Sequence, residues 1–115
     1  FTYTFIDNLY KEITSVFHDD FIHMGGDEVP FDCWASNPSV QKFMKQKGYT
    51  SFAQLETYYV NHVLNDFRKY KKTPIVWQEV FTNGAKITPD TVVDVWKGHD
   101  QGWKQTMADV TAAGH

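Results

Sequence analysis

The sequence holds a single cysteine, Cys33, among 115 residues, so no disulfide closes within it. A lone thiol is most often a small buried hydrophobe. Prolines (four) and glycines (seven) are few and scattered, and no repeat period or low-complexity segment is visible. Basic blocks are absent and the net charge is −3, so nothing points to nucleic acid. No apolar run approaches a membrane span. The one near-match to a glycosylation sequon, Asn37-Pro38-Ser39, carries the forbidden proline. An initiator methionine and a signal-like leader are also missing. Phe1 opens directly into an amphipathic pattern and the chain stops abruptly at Gly114-His115, which leads us to expect a piece of a longer chain.

Aromatic residues, by contrast, are abundant at 17%. That suits a packed core or a sugar-stacking site and argues against disorder. The chain centres on Phe21-Ile22-His23-Met24-Gly25-Gly26-Asp27-Glu28-Val29. The apolar start predicts a short buried strand, and the glycine pair lets its end bend or admit a close neighbour. In a regular strand Asp27 and Glu28 would face opposite ways. A pleat broken by the glycines allows both carboxylates to turn toward one pocket, as a general acid and an orienting partner require. Alone, an Asp-Glu pair is more often a solvated surface feature.

Periodicity predicts a helix over Thr4–Phe17 with Ile6, Leu9, Tyr10, Ile13, Val16 and Phe17 on one face and a weak cap at Thr4 and Asp7. Pro30 to Ala35 reads as loop. Asn37-Pro38 starts a helix that Gly48 stops. Ser51 and Gln54 form a capping box for a longer helix, with Phe52, Leu55, Tyr59, Val63, Phe67 and Tyr70 on one side. Lys69, Lys71 and Lys72 sit at its C-terminal end. Pro74 opens a second strand, Ile75 to Trp77. The stretch from Phe81 to Pro89 has room for a turn or two of helix. Thr91 to Trp96 is a third strand, and Gln101 to Ala113 a last helix with Trp103, Met107 and Val110 facing in. This alternation implies an α/β fold with parallel strands. Three strands cannot close a barrel.

His23-Met24-Gly25-Gly26-Asp27-Glu28-Val29 resembles the His-x-Gly-Gly-Asp-Glu motif of glycoside hydrolase family 20, the β-N-acetylhexosaminidases. The likeness continues through Cys33-Trp34, Ser36-Asn37-Pro38, Gln46-Lys47-Gly48, Val76-Trp77-Gln78-Glu79-Val80-Phe81 and Val95-Trp96-Lys97, in the family's order. It is most like the lysosomal branch. The resemblance implies that residues 1–115 are the central part of a (β/α)8 barrel, incomplete in this chain, with its site at the carboxyl ends of the strands. It implies a retaining, substrate-assisted hydrolase that removes terminal β-linked N-acetylglucosamine or N-acetylgalactosamine without a metal or organic cofactor. Glu28 would be the general acid, a role that apolar burial and the charge of Asp27 would favour. Asp27 would orient the substrate's 2-acetamido group. Trp77 and Trp96 would wall the pocket, although tryptophans in strands usually pack in cores. Trp34 and Trp103 have no rim position and read as packing residues.

The resemblance further implies a disulfide from Cys33 to a cysteine outside this chain, and so a lysosomal or secreted setting. It allows a dimer of the full-length protein. His23 reads best as a structural histidine beneath the site, and Glu79 as a neighbour that hydrogen-bonds around the pocket. Two other readings stand beside it. One is a metal-dependent hydrolase using His23, Asp27 and Glu28, with His18, Asp19 and Asp20 nearby. The other is a sugar-binding relative that has lost catalysis, against which the intact acid pair argues. His62 and Asp66, four apart on a helix, read as a solvated pair. With so few helices to cover the strands, Ile22, Val76, Val93 and Val95 are expected to be exposed.

Overall fold

The structure, a computed structural model, describes residues 1–98 and 101–115. Its elements follow in order: α1 (Thr2–Val16), β1 (Phe21–His23), α2 (Asp32–Ala35), α3 (Pro38–Lys47) and α4 (Phe52–Phe67). A 3-10 turn (Arg68–Tyr70) leads to β2 (Thr73–Trp77), α5 (Gln78–Thr82), β3 (Val92–Asp94) and α6 (Gly102–Ala112). The strands form one parallel sheet in the order β1-β2-β3. Ile22 lies opposite Pro74, and Val76 opposite Val93. Pairing of β2 with β3 begins at Ile75 and Val92, so the donor that Pro74 lacks falls before that ladder starts.

Strand alternation sorts the sheet into two unlike faces. Ile22, Pro74, Val76 and Val93 are buried on the face that the helices cover. Val76 and Val93 join Val60 of α4, Val80 of α5 and Val110 of α6 in the core, with Met24, Leu64, Phe81, Ala85, Ile87 and Val95 packed against it. The expected exposure of Ile22, Val76, Val93 and Val95 is therefore wrong, because three helices suffice for one face. The opposite face stays open, and Phe21 and Val92 are exposed there.

The caps read from the sequence for α3 and α4 are present. Asn37 accepts hydrogen bonds from the Ser39 and Val40 amides, and Gly48 ends α3 in the left-handed conformation. Ser51 and Gln54 close the capping box on α4. Several boundaries and caps differ, among them β3, which spans Val92–Asp94 rather than Thr91 to Trp96. Thr4 and Asp7 do not cap α1, because Asp7 instead accepts from the Tyr70 hydroxyl and pairs with Lys69. Residues 32–35 form a helical turn rather than loop, fixed by Phe31 and Trp34 packing against Phe52. α5 begins directly after Trp77 rather than beyond Phe81, so Gln78 and Glu79 form its first turn. Facing residues differ as well. Leu9, Val16 and Phe17 of the α1 stripe are exposed, as are Trp103 and Met107 on α6, where only Val110 is buried. The helical period alone turns those two inward, whereas α6 meets the core at Val110.

The buried face of α4 is Glu56, Val60, Val63 and Phe67. Glu56 has one carboxylate oxygen on the Asn83 amide at 2.8 Å, while the other is buried without a partner. Burial pushes its pKa up from 4.5, the Asn83 hydrogen bond opposes this, and the charge of Glu79 adds to the rise. Folded Glu56 therefore ionises at higher pH than in the unfolded chain. Its stability contribution is full below the ordinary value and falls as pH rises through the folded value. Glu56→Gln in the full-length protein is expected to flatten the decline in melting temperature between pH 4 and 7. An unchanged slope would show that Glu56 does not carry it.

Candidate active site

The site is built where three parallel strands stop. β1 loses its regular form after His23, but two further ladder bonds hold its continuation: Met24 donates to the Ile75 carbonyl and Trp77 to that of Gly25. Gly26 then turns with φ +99°, and a Cβ there would lie 2.3 Å from the Val80 side chain. That residue must be glycine for the chain to cross so close to α5. The pleat is thus broken as expected. Asp27 and Glu28 follow as exposed residues, and Glu28 takes φ +43°, uncommon for a residue with a Cβ.

What holds Glu28 in that conformation comes from the other two strand ends. Its amide donates to Glu79 Oε1 at 3.3 Å. Its carboxylate lies 3.6 Å from the Lys97 ammonium, which sits 2.7 Å from Glu79. Trp96 donates its indole N–H to the second Glu79 oxygen at 3.0 Å. The buried Gln78 side chain accepts from the Trp96 and Lys97 amides at 3.0 and 2.7 Å. The first turn of α5 therefore anchors the exits of β1 and β3 together. Burial pushes the Glu79 carboxyl up. The Lys97 and Trp96 donors, with the Glu79 and Glu28 amides, outweigh it and hold the pKa below 4.5. Its stabilising charge is accordingly present above that value and lost as pH falls through the folded one. Lys97 is raised in turn, chiefly by its hydrogen bond to Glu79.

Trp77 and Trp96 meet on the same rim, edge to face with centroids 5.8 Å apart. His23 sits against Trp77 at 4.5 Å. Its Nδ1 accepts from the Gly25 amide at 3.0 Å, which leaves Nε2 toward Asp94 at 4.0 Å. The sequence-selected Asp27, Glu28, Trp77, Trp96, His23 and Glu79 are thus gathered at one end of the sheet. Glu28 is not in apolar surroundings: its side chain is 62% exposed, because only Lys97 and the Glu79 region approach it here. Cys33 is exposed on α2 rather than buried. Trp103 stands exposed, whereas Trp34 packs between Phe31 and Phe52. His62 and Asp66 form the expected half-exposed pair at 3.5 Å, with Tyr3 stacked on the histidine ring. Among the described residues, no three His, Cys, Asp or Glu side chains converge as a metal donor set.

Nothing local in the sequence marks Gln78 or Lys97, or gives Glu79 more than a peripheral place. Their partners lie across the fold, between 17 and 51 residues away in sequence. The available signal was a polar Gln-Glu pair directly behind a buried strand.

Parallel strands whose carboxyl ends carry carboxylates and tryptophans place the chain among α/β proteins with a strand-end site. It belongs to glycosyl hydrolase family 20: the model of that family's catalytic domain matches residues 1–115. It is 50% identical over 114 residues to the human β-hexosaminidase subunit beta and 49% to the rat one. These alignments cover 98% of this chain but only 20% and 21% of those relatives. Among solved structures, it superposes on an exo-β-N-acetylglucosaminidase from Vibrio harveyi with a TM-score of 0.81 at 31% identity, covering 97% of this chain and 17% of that one. A chitobiase from Flavobacterium johnsoniae gives 0.83 at 27%, covering 99% and 17%.

Proposed function

We propose that this chain is the central part of a (β/α)8 barrel and carries the proton-donating and acetamido-orienting carboxylates of a retaining β-N-acetylhexosaminidase. The observation that carries this reading is the Asp27-Glu28 pair, set where the glycine-broken β1 emerges beside Trp77 and Trp96. The relatives' names agree with it. The open sheet face and the exposed stripe of Phe1, Phe5, Leu9, Val16 and Phe17 suit further strands and helices of a barrel.

Terminal β-linked N-acetylglucosamine or N-acetylgalactosamine of a glycoconjugate would lie on the rim, with Trp77 and Trp96 against its apolar faces. Glu28 gives its proton to the glycosidic oxygen as the bond to the anomeric carbon breaks. The substrate's acetamido oxygen attacks that carbon from the other side. Positive charge grows on the acetamido nitrogen, and Asp27 orients the group and stabilises the charge. Water, deprotonated by the same Glu28, then opens the cyclic intermediate with net retention. His23 supports Trp77 from beneath. Cys33, exposed on α2, is free to bridge to a cysteine elsewhere in the full protein, which fits a lysosomal or secreted setting. Neither alternative is favoured: His23, Asp27 and Glu28 do not form a metal donor set, and the acid pair is intact.

Asp27→Asn in the full-length enzyme is expected to lower turnover by about 10²–10³-fold, the cost of losing one preorganised charge partner in a transition state. Affinity for N-acetylglucosamine should fall much less than affinity for its cyclised thiazoline analogue. Equal losses in the two inhibition constants would remove Asp27 from that role.

A further inference from the structure

Lys97 and Glu79 form an ion pair set directly against the residue proposed as the acid, and nothing in the chemistry above uses it. We infer that Glu79 is a positioning residue, paired with Lys97, that fixes the Glu28 backbone and the Trp96 indole at once and sets the charge that Glu28 faces. The inference rests on the hexosaminidase reading and deepens it.

The first ground is stoichiometry. Three donors converge on the Glu79 carboxylate: the Lys97 ammonium and the Glu28 amide on Oε1, and the Trp96 indole N–H on Oε2. An ionised carboxylate has about four acceptor sites and can satisfy them all. A glutamine there keeps one acceptor oxygen with two lone pairs, so at least one of the three loses its partner. The second ground is connectivity. Glu79 lies in the first turn of α5 behind β2, Glu28 follows β1, and Trp96 and Lys97 follow β3. One side chain therefore sets the spacing between the acid and one wall of the pocket. Glu28 needs such a hold, because its φ of +43° is not one that a free chain favours. Misplacement of a reacting group by about 1 Å costs on the order of 10²-fold in rate.

The third ground is charge. The charged groups set around the Glu28 carboxylate are Lys97 at 3.6 Å and Glu79 across that lysine, with Asp27 next to it in sequence. In the native pair, Glu79 offsets the lysine. Removing the Glu79 charge leaves Lys97 to favour ionised Glu28, so the proton is lost at lower pH. Removing the lysine leaves carboxylates facing one another, so the proton is held to higher pH.

The test uses the full-length enzyme, labelled with 5-fluorotryptophan, and its variants E79Q, K97M and K97R. The alkaline limb of kcat/KM for an alkyl N-acetylglucosaminide should move down in E79Q and up in K97M, each by roughly half a unit or more. K97R should restore it. In E79Q, kcat should also fall about tenfold or more, and the fluorine resonance of Trp96, assigned with Trp96→Phe, should shift. A residue that merely stabilised the fold would lower the yield of active enzyme and leave the limbs coincident. Coincident limbs with an unmoved Trp96 resonance overturn the inference. If E79Q does not fold, K97M and K97R, altered at a half-exposed side chain, decide by the limb alone. A native protein without hydrolytic activity would overturn the hexosaminidase reading, while the Trp96 resonance would still report whether Glu79 holds the indole.

Discussion

Glu28→Gln in the full-length enzyme is expected to lose about 10²–10⁴-fold of its turnover on a substrate with a poor alkyl leaving group, the usual worth of a positioned general acid. An activated aryl leaving group needs little protonation, so its hydrolysis should suffer far less. The variant keeps what the structure shows of this residue's setting. The main-chain bond from residue 28 to Glu79 does not involve the side chain. Glutamine matches the length of glutamate and still meets the Lys97 ammonium with its amide oxygen. What goes is the transferable proton. The comparison of kcat for the two leaving groups therefore isolates proton donation from packing. Equal losses on both would show that residue 28 acts by shape or charge and is not the acid.

The sequence exposes those parts of this site that are local. A glycine pair behind a short apolar run announces a broken strand, and Asp27 and Glu28 follow within two residues of it. Asn37, Gly48 and the Ser51–Gln54 box could be placed because each cap is satisfied within four residues of itself. The failures are non-local. α5 starts at Gln78 because Val80 and Phe81 dock on the core, which no propensity signals. Glu56 interrupts an apolar stripe, yet it is buried, since Asn83 comes from a distant turn to meet it. Trp103 and Met107 fit the helical period but remain exposed. The Glu79 network joins three strand ends, so it exists only once the parallel register has brought them side by side.

Residues 1–115 expressed alone are expected to show no hexosaminidase turnover and no cooperative thermal unfolding. A 115-residue domain of ordinary compactness has a radius of gyration of about 13 Å. Here it is 15.3 Å, and the chain forms a slab of 39 × 38 × 21 Å. The excess has a visible origin. Helices cover one face of the sheet, while the other leaves Phe21 and Val92 to water. α1 presents a second apolar stripe through Phe1, Phe5, Leu9, Val16 and Phe17. β1 and β3 each pair on one side only among the described residues, so two edges can recruit other chains. The aggregation-prone surface is thus Phe21, Val92 and the α1 stripe, not the valines that the helices bury. A bridge from Cys33 to a cysteine outside the segment would add roughly 2–5 kcal/mol that the isolated chain lacks, much of a small domain's stability. Glu28 would also keep its solvent exposure, without the apolar walls that favour a protonated acid. Near-ultraviolet circular dichroism, dye binding to exposed apolar surface, thermal melting and hydrolysis of an aryl N-acetylglucosaminide test this together. Strong dye binding, a broad melt and no turnover are the expected results. A sharp melt with measurable turnover would mean that the slab alone buries enough apolar surface to fold and that its strand-end site is complete.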